Sequence, residues 1–309
     1  MKTNTKLRGT QLLSIILLII LLPACSTKKD FKNGLSQVDP KIGGVGLLLQ
    51  PTRPTVQMPN QMIRMYPVRK DYIDDQIQYF PLSIISHRLG ELFGLMPFTG
   101  KLTSGAPVSS WDEGLEVSTP YYFSTWLQDY SVTVEFSPGE KAGYFRFTFP
   151  DKVVKNIFLE NINKDKWKLS ENNTILTEES FNGMKAYVFG VFNEKPTMNS
   201  EAVSATIGNY LSWDESTPNV IDFKYAISYI NTEHAQRSLA EEIPDWSFGN
   251  LKESAKVAWE NIFNQIQVKG GSEKHRRTFY TALYRCFERM VNITESGEYY
   301  SNYDSLVHK

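Results

Sequence analysis

Alternation of apolar and polar positions dominates the chain between residues 38 and 230. In "YSVTVEF" (residues 130–136) and "YFRFTF" (residues 144–149), side chains alternate between two faces with the period of a half-buried strand. The turn-forming segment "SPGEKAG" joins them and predicts a hairpin. "VVKNIFLENI", "AYVFGVF" and "IDFKYAISYI" continue the same pattern. Many short strands without long helices between them predict a mainly β fold, an antiparallel β-sandwich.

The hydrophobic period becomes helical near residue 231. "NTEHAQRSLAEEI" offers Asn231 or Thr232 as an N-cap, and Pro244 ends the helical pattern. The following "LKESAKVAWENIFNQI" predicts an amphipathic helix. Its apolar stripe consists of Leu251, Ala255, Ala258, Trp259, Ile262, Phe263 and Ile266.

A further helix is predicted in "KHRRTFYTALYRCFERMV" after the break "VKGGSE". Its apolar residues cover more than one face: Phe279, Leu283, Cys286 and Met290 on one side, with Tyr280, Tyr284 and Phe287 beside them. We expect the aromatic residues and the cysteine to pack in a core. The chain supplies no further helical layer, so part of this helix is expected to remain exposed.

The N-terminus has the pattern of an export signal. Basic residues precede "LLSIILLIILL" (residues 12–22), a run too short for a comfortable membrane span, and "PACS" follows. "LPAC" resembles a bacterial lipobox, which predicts a lipoprotein signal peptide over residues 1–25 with Cys25 lipidated. An ordinary signal peptide is the alternative. Residues 26–37 are polar and predict a tether. The lipoprotein signal predicts a location at the outer membrane or in the periplasm of a Gram-negative bacterium.

Charge and cysteine content exclude several classes of function. The net charge of the 309 residues is −1, and the basic residues form no stripe, so nucleic acid is not an expected partner. Beyond Cys25 only Cys286 remains, so no internal disulfide is possible after processing. No Cys/His cluster has zinc spacing.

Several collinear stretches resemble glycoside hydrolase family 92, the exported calcium-dependent exo-α-mannosidases of bacteria. "VDPKIGG" (residues 38–44) is similar to "VNPfIGT", and "PTVQMPNQMIRMYP" to "PGATVPFGMVQLSP". Residues 116–150 resemble "ExASPGYYsVxLdDygItaElTaterxGfhrytFP", and residues 226–287 resemble the linker helices of the family. Gly297, Asp304 and His308 resemble "dGxYrgxDxxvh". The order and spacing of these stretches carry the resemblance.

The resemblance implies a domain plan and a reaction. It implies a β-sandwich over residues 38–230, a helical linker over residues 231–272 and the start of an incomplete (α/α)6 barrel over residues 273–309. It further implies inverting hydrolysis of α-mannoside glycans. Because the barrel supplies the catalytic acid, the base and most calcium ligands in that family, we expect no catalytic or metal-binding residue in this chain. We also expect the chain to be inactive on its own.

Two residues are predicted to contact substrate. "IISHRLGELFG" keeps His87 of the family's "GFSHTHLSGTG", although the second histidine and the glycines are lost. "KDYIDDQIQYF" replaces a tryptophan-containing stretch, so Tyr72, Tyr79 or Trp111 would have to supply the aromatic surface for the sugar. His87 and Trp111 are therefore the candidates. The alternatives are a structural histidine and a tryptophan packed at the sandwich edge.

The remaining acidic residues favour structural roles. Glu116 matches a family glutamate and is expected to fix its loop through backbone hydrogen bonds. The adjacent pairs Asp74–Asp75, Asp112–Glu113 and Glu241–Glu242 are expected to be surface or turn charges, since neighbours on a strand point apart.

Three interpretations of the whole chain remain open. The first is the N-terminal part of a family 92 enzyme, and the second is a lipid-anchored carbohydrate-binding or scaffold protein without catalysis. The third is a decayed product that does not fold stably.

Overall fold

A computed structural model describes residues 33–43, 53–69, 75–86, 90–102, 105–160, 162–163, 167–203 and 206–309. The predicted export signal, Cys25, Tyr72, Asp74 and His87 lie outside these ranges.

Nineteen strands and three α-helices are assigned within these ranges. The strands are β1 Val56–Gln57, β2 Arg64–Met65, β3 Val68–Arg69, β4 Gln76–Ser86, β5 Gly90–Thr99, β6 Ser109–Ser110, β7 Val117–Ser118, β8 Phe123–Leu127, β9 Val132–Pro138, β10 Ala142–Thr148, β11 Lys155–Glu160, β12 Lys168–Leu169, β13 Thr174–Phe181, β14 Met184–Phe192, β15 Thr197–Val203, β16 Thr206–Trp213, β17 Val220–Ser228, β18 Tyr299–Ser301 and β19 Leu306–His308. The helices are α1 Thr232–Glu242, α2 Phe248–Phe263 and α3 Glu273–Cys286.

Two large antiparallel sheets form the β-sandwich that the alternation predicted. One has the strand order β12-β13-β14-β17-β10-β9-β8-β7, and the other has the order β15-β16-β11-β5-β4-β3 with β6 paired to β4. The sheets face each other across an aromatic core, in which Phe80 of β4 contacts Phe145 of β10. Across the same interface, the Tyr225 hydroxyl on β17 donates a 2.6 Å hydrogen bond to the Leu82 carbonyl on β4.

The predicted hairpin is formed by β9 and β10. Phe136 lies opposite Phe145, and both rings are fully buried with centroids 4.7 Å apart. The intervening positions Glu135 and Arg146 also lie opposite each other and point to the other face. Local alternation is therefore sufficient to orient this hairpin.

Helix α1 begins where the sequence placed its cap. The Asn231 side chain accepts a hydrogen bond from the His234 amide, which satisfies a donor in the first helical turn. The helix covers the outer face of the eight-stranded sheet, where Ala235 and Leu239 pack with Tyr144 and Phe248. The two helices α1 and α2 thus close the side of the sheet that faces away from the sandwich core.

Helix α3 is buried on the face that carries Tyr280 and Tyr284, and Cys286 lies on another face. Tyr280 and Tyr284 are fully covered and pack with Trp259 of α2 and with Leu35, in the short 3-10 helix Gly34–Gln37. Since successive helical residues are about 100° apart, Cys286 lies about 200° round from Tyr284. The prediction that Cys286 is buried is wrong: its thiol is exposed.

Two further details of the helical region differ from expectation. Helix α2 ends at Phe263, and Ile266 beyond it is exposed rather than part of the buried stripe. Helix α3 ends at Cys286, before the end of the predicted segment, and Phe279 is exposed although the aromatic residues were expected in a core; Met290, beyond the helix, is also exposed. No helix in the described ranges is long and apolar enough to cross a membrane.

Candidate functional site

A band of polar and charged side chains follows residues 64–69, which run along one side of strand β4. We call it the charged band and define it by Lys41, Arg64, Tyr66, Arg69, Trp111 and Glu116. Extended chain covers at most about 3.5 Å per residue, so Arg64 and Arg69 lie within about 17 Å along the backbone. The band contains Trp111, one of the two predicted substrate contacts.

Glu116 occupies the centre of the charged band. Lys41 Nζ lies 3.1 Å from Glu116 Oε1, and the side chain of Glu116 is inaccessible to solvent. The Tyr66 hydroxyl donates to the same carboxylate at 3.3 Å. Burial raises the pKa of Glu116, and the charge of Lys41 opposes that rise. Glu116 therefore fixes its surroundings through side chains, whereas backbone hydrogen bonds had been expected.

Trp111 lies at one end of the band. Its backbone amide donates to the Asp75 carbonyl at 3.1 Å, immediately before β4, and its half-buried ring packs against the sandwich core. The guanidinium carbon of Arg69 lies 4.9 Å from the centre of the indole ring. The indole nitrogen Nε1 is buried without a hydrogen-bond partner among the described residues. Trp111 thus combines a packed ring with an unused donor.

Arg64 connects the other end of the band to the C-terminal segment. Its guanidinium donates to the Ile85 carbonyl near the end of β4, and to the Glu288 carbonyl at 3.3 Å. Burial lowers the pKa of Arg64 to about 10. From the opposite side, Arg285 at the end of α3 donates to the carbonyl of Pro40. The N-terminal strands and the C-terminal helix therefore share this region.

Trp111 and Ser86, the residue before His87, are associated with opposite ends of β4. Trp111 is bonded to Asp75 at the beginning of the strand, whereas Ser86, the residue before His87, ends it. Eleven strand residues at about 3.3 Å each separate these ends by roughly 30 Å or more. His87 itself lies outside the described residues. One small sugar could not contact both ends of β4.

Tyr79 lies midway along β4 and is half buried. Its ring and the Glu160 side chain both cover Gly94, where an added Cβ would lie 2.9 Å from Tyr79 Cδ2 and 2.8 Å from Glu160 Cβ. Burial raises the pKa of Tyr79 above its ordinary range, and the nearby Glu91 carboxylate raises it further. Tyr79 and Trp111 are thus both partly buried and both pack against the sandwich core.

The adjacent acidic pairs have separate roles. Asp112 and Glu113 are exposed turn charges, and Asp112 Oδ1 accepts the Gly114 amide at 2.8 Å. Glu241 is exposed, but Glu242 turns back to the β9–β10 turn. Within the described ranges, no group of three or more His, Cys, Asp or Glu side chains could hold a metal ion.

A concave feature separate from the charged band lies at the far end of the eight-stranded sheet from β7. It is an open cleft of about 310 Å³ lined by Trp167, Lys168, Leu176, Thr177, Glu178 and Thr232. No residue predicted as a site from the sequence lines it. Strands β12 and β13, which supply most of its lining, occupy the opposite sheet edge from the segment that carries Glu116.

Lys41, Tyr66 and Arg69 were not singled out from the sequence, although they surround Glu116 and Trp111. One signal was available for Lys41: it places a charge where the otherwise similar family motif has phenylalanine. A lone charge in an apolar motif position suggests a buried partner, since an unpaired buried cation is costly. Tyr66 and Arg69 gave no comparable signal, because their partners are distant in the chain.

The sequence profiles of two domains match the chain in tandem. The profile described as "Glycosyl hydrolase family 92 N-terminal domain" matches residues 37–228. The profile described as "Glycosyl hydrolase family 92 catalytic domain" matches residues 234–309. No curated protein matches the chain.

Solved structures share the fold. A family GH92 inverting mannosidase from Bacteroides thetaiotaomicron superposes with a TM-score of 0.81 at 20% identity, covering 91% of this chain and 44% of that one. A family GH92 α-mannosidase from the same organism superposes with a TM-score of 0.77 at 20% identity, over 90% of this chain and 44% of that one. The latter has also been solved in complex with mannoimidazole. This chain spans less than half the length of the solved enzymes.

Proposed function

Since this chain belongs to glycosyl hydrolase family 92, we propose that it forms the N-terminal part of an exported, calcium-dependent, inverting exo-α-mannosidase. We further propose that the 309 residues do not hydrolyse mannosides by themselves. The observation that carries the proposal is the family order of the two matching domains on a chain that covers 44% of a solved inverting mannosidase.

The chemistry of inversion supports inactivity of these residues alone. An inverting glycosidase needs a carboxylic acid and a carboxylate about 6.5–9.5 Å apart, with room between them for water and the sugar. Glu116, at the centre of the charged band, has no accessible side-chain surface and is paired with Lys41. It cannot reach a glycosidic oxygen in this arrangement. The role proposed for the band is to support a sugar site whose catalytic carboxyl groups come from elsewhere.

The exposed residues of α3 and of the segment after it support a partner layer. Phe279 is 38% exposed and Met290 is 86% exposed, and the Cys286 thiol is also at the surface. Apolar side chains grouped in this way commonly face another protein element. We assign that element to further catalytic-domain helices of the same enzyme.

Calcium ligands are assigned outside the described residues. Calcium takes six to eight oxygen ligands, supplied largely by carboxylates and carbonyls. The described residues contain no group of three or more His, Cys, Asp or Glu side chains suited to a metal. They therefore do not fit a calcium site, and no step of the reaction is assigned to calcium here.

The activity proposal is tested with purified protein of these 309 residues and α-linked mannobiose. We expect no release of mannose with or without calcium, while a complete family 92 mannosidase in the same buffer releases it. Calcium-dependent release by the 309 residues would overturn the placement of the catalytic groups. Sequencing the coding DNA after codon 309 provides a second test, because an in-frame stretch of helical, acid-containing sequence is expected there.

The membrane anchor is tested separately. We propose that Cys25 is lipidated after export, because it follows a short apolar run in a lipobox-like sequence. Labelled palmitate should be incorporated into the protein in a Gram-negative host, and Cys25→Ser should abolish the labelling. Equal labelling of both proteins would contradict the anchor. Cys286→Ser is the matched control and should leave labelling unchanged.

A second candidate function is binding of carbohydrate without catalysis. The observation that favours it is Trp111, whose half-buried ring lies beside Arg69. Calorimetry with mannose and mannan provides the test. Tight binding that is lost in Trp111→Ala would favour this candidate, and binding that is lost in His87→Ala would assign the sugar contact to His87 instead. Absence of heat with either ligand would exclude a strong binding module.

A further inference from the structure

Both ring nitrogens of His234 face oxygen atoms. Nδ1 lies 2.8 Å from Oδ1 of Asn231, and Nε2 lies 3.2 Å from Oε2 of Glu298. The Asn231 atom is identified as an oxygen because it also accepts the His234 backbone N–H at 2.8 Å. A neutral imidazole carries one N–H and an imidazolium carries two. Both hydrogen bonds can therefore exist together only when His234 is protonated.

The link joins parts of the fold that are distant in sequence. His234 belongs to the first turn of α1, and Glu298 lies immediately before strand β18 of the terminal β18–β19 hairpin. Glu298 also closes a tight turn, since its amide donates to the Glu295 carbonyl at 3.0 Å. The histidine thus holds the base of the hairpin against the start of a helix that covers the sandwich.

Charged groups of both signs lie around His234. The imidazole is largely buried and faces Glu298, while Glu295 lies near it and accepts the Tyr229 amide at 2.8 Å. The charge of His234 is among the influences that oppose the rise in the pKa of Glu295 caused by burial. Two cations face the same carboxylates: Lys309 lies 3.9 Å from Glu298, and the charge of Glu295 acts on Lys141.

Other contacts hold the neighbouring segment independently of this histidine. The Asn292 amide donates to the Asn60 carbonyl at 2.7 Å, and Lys141 Nζ donates to the Asn292 carbonyl at 2.9 Å. Beyond Glu298, the hairpin contacts the sandwich through Tyr300, and through a long hydrogen bond from Asn302 to the Asn182 carbonyl. Loss of the His234 link should consequently loosen the hairpin without unfolding the sandwich.

We propose that His234 is a pH-responsive latch for the β18–β19 hairpin. In the protonated state it donates to Asn231 and Glu298 at once. Imidazoles lose this second proton between about pH 5 and 8. The neutral ring can satisfy only one of the two acceptors, and if it keeps Asn231, its Nε2 lone pair faces the Glu298 carboxylate. The link is fully formed at low pH and is lost as the pH rises.

Hydrogen exchange of peptides covering residues 299–309 tests the latch in the intact chain. Exchange rates at pH 5.5 and pH 8.0 are divided by the intrinsic rates at each pH, which leaves the opening equilibrium. In the unmodified protein we expect the protection factor to fall at least about fivefold at pH 8.0. Equal protection at the two pH values overturns the proposal, whatever the variants show.

Three variants assign the effect. His234→Gln should remove the pH dependence, because glutamine does not titrate. Glu298→Gln should also remove it while keeping the hairpin protected, since an amide can accept from the protonated ring or donate to the neutral one. His308→Gln is the matched control: it deletes the 2.9 Å contact with Asp304 inside the hairpin and should leave the pH dependence intact. Dependence that survives in His234→Gln, or disappears in His308→Gln, contradicts the latch.

Discussion

The ammonium group of Lys41 lies 3.1 Å from a carboxylate oxygen of Glu116, whose side chain has no accessible surface. The pair connects the N-terminal segment to the residue before β7. Burial raises the pKa of Glu116, whereas the neighbouring cation favours its ionised form. The buried charge therefore depends on Lys41.

Replacing Lys41 should expose that dependence. Lys41→Met leaves a buried carboxylate without its cation, and we expect the free energy of unfolding at pH 7 to fall by about 2 kcal/mol in urea titrations. The double variant Lys41→Met/Glu116→Gln should recover most of the loss because the buried group is then neutral. Glu113→Gln is the control, since Glu113 is exposed and lies 3.5 Å from Lys41. A double variant as unstable as Lys41→Met would contradict this account.

Glu242 should stabilise the β9–β10 turn far more than its neighbour Glu241. The Glu242 carboxylate accepts the amide of Glu140 at 2.7 Å and that of Lys141 at 2.9 Å. Glu242→Ala is expected to cost about 2–3 kcal/mol of unfolding free energy, because charge-assisted hydrogen bonds are lost and the turn amides lose their acceptor. Glu241→Ala, at an exposed position of the same helix, should change it by no more than about 0.5 kcal/mol. Chemical denaturation of both variants measures these changes, and equal losses of unfolding free energy would refute the role of Glu242.

Gly143 should not tolerate a methyl group. A Cβ at this position would lie 2.7 Å from the ring atom Cζ of Tyr225, whose hydroxyl is fixed by its bond to the Leu82 carbonyl. We expect Gly143→Ala to lower the unfolding free energy by about 2 kcal/mol. Gly249→Ala, in helix α2 with no atom within 4 Å of the added Cβ, should instead raise it by up to about 1 kcal/mol. Thermal unfolding curves that shift in the same direction for both variants would disagree with this packing.

Glu160 should make stability depend on pH. Burial raises the pKa of Glu160 from 4.5 to about 7. Between these values the folded protein keeps a proton that the unfolded chain releases, so the free energy of unfolding falls as pH rises, by at most about 3 kcal/mol from this group. The urea midpoint of Glu160→Gln should equal that of the unmodified protein near pH 4 and should be higher than it at pH 8.

A surface carboxylate controls for that experiment. Glu178→Gln changes an exposed residue of β13, and its urea midpoint should equal that of the unmodified protein at both pH values. If the urea midpoint of Glu160→Gln also equals that of the unmodified protein at both pH values, the assigned burial of the Glu160 carboxyl is wrong.

Much of the fold was predictable because its determinants are local. Alternation in residues 130–149 gave both strands of the β9–β10 hairpin and the faces of Phe136 and Phe145. The Asn231 cap of α1 was also predictable, since a cap acts within three residues. The ends of the connecting segment "SPGEKAG" were less predictable. Both strands extend into this segment, and Glu242 from α1 holds the turn that remains.

The candidate site was less predictable because its contacts cross the fold. Trp111 was identified from its residue type, but Arg69 beside it follows from the pairing of β3 and β6 with β4. The sequence grouped Trp111 with His87, whereas the length of β4 separates Trp111 from Ser86, the residue before His87. Neither the pairing nor the strand length was evident from the local pattern of this region.

By itself, the sequence determined a β-sandwich followed by helices, since side-chain direction in a strand and capping in a helix depend on near neighbours. Tertiary structure alone decided which side of α3 is buried and which carboxylates are paired. Helix α3 is apolar on several sides, and the contact of Leu35 and Trp259 with Tyr280 and Tyr284 selected one of them, leaving Cys286 in solvent. Packing between distant segments made that choice, and no local period encodes it.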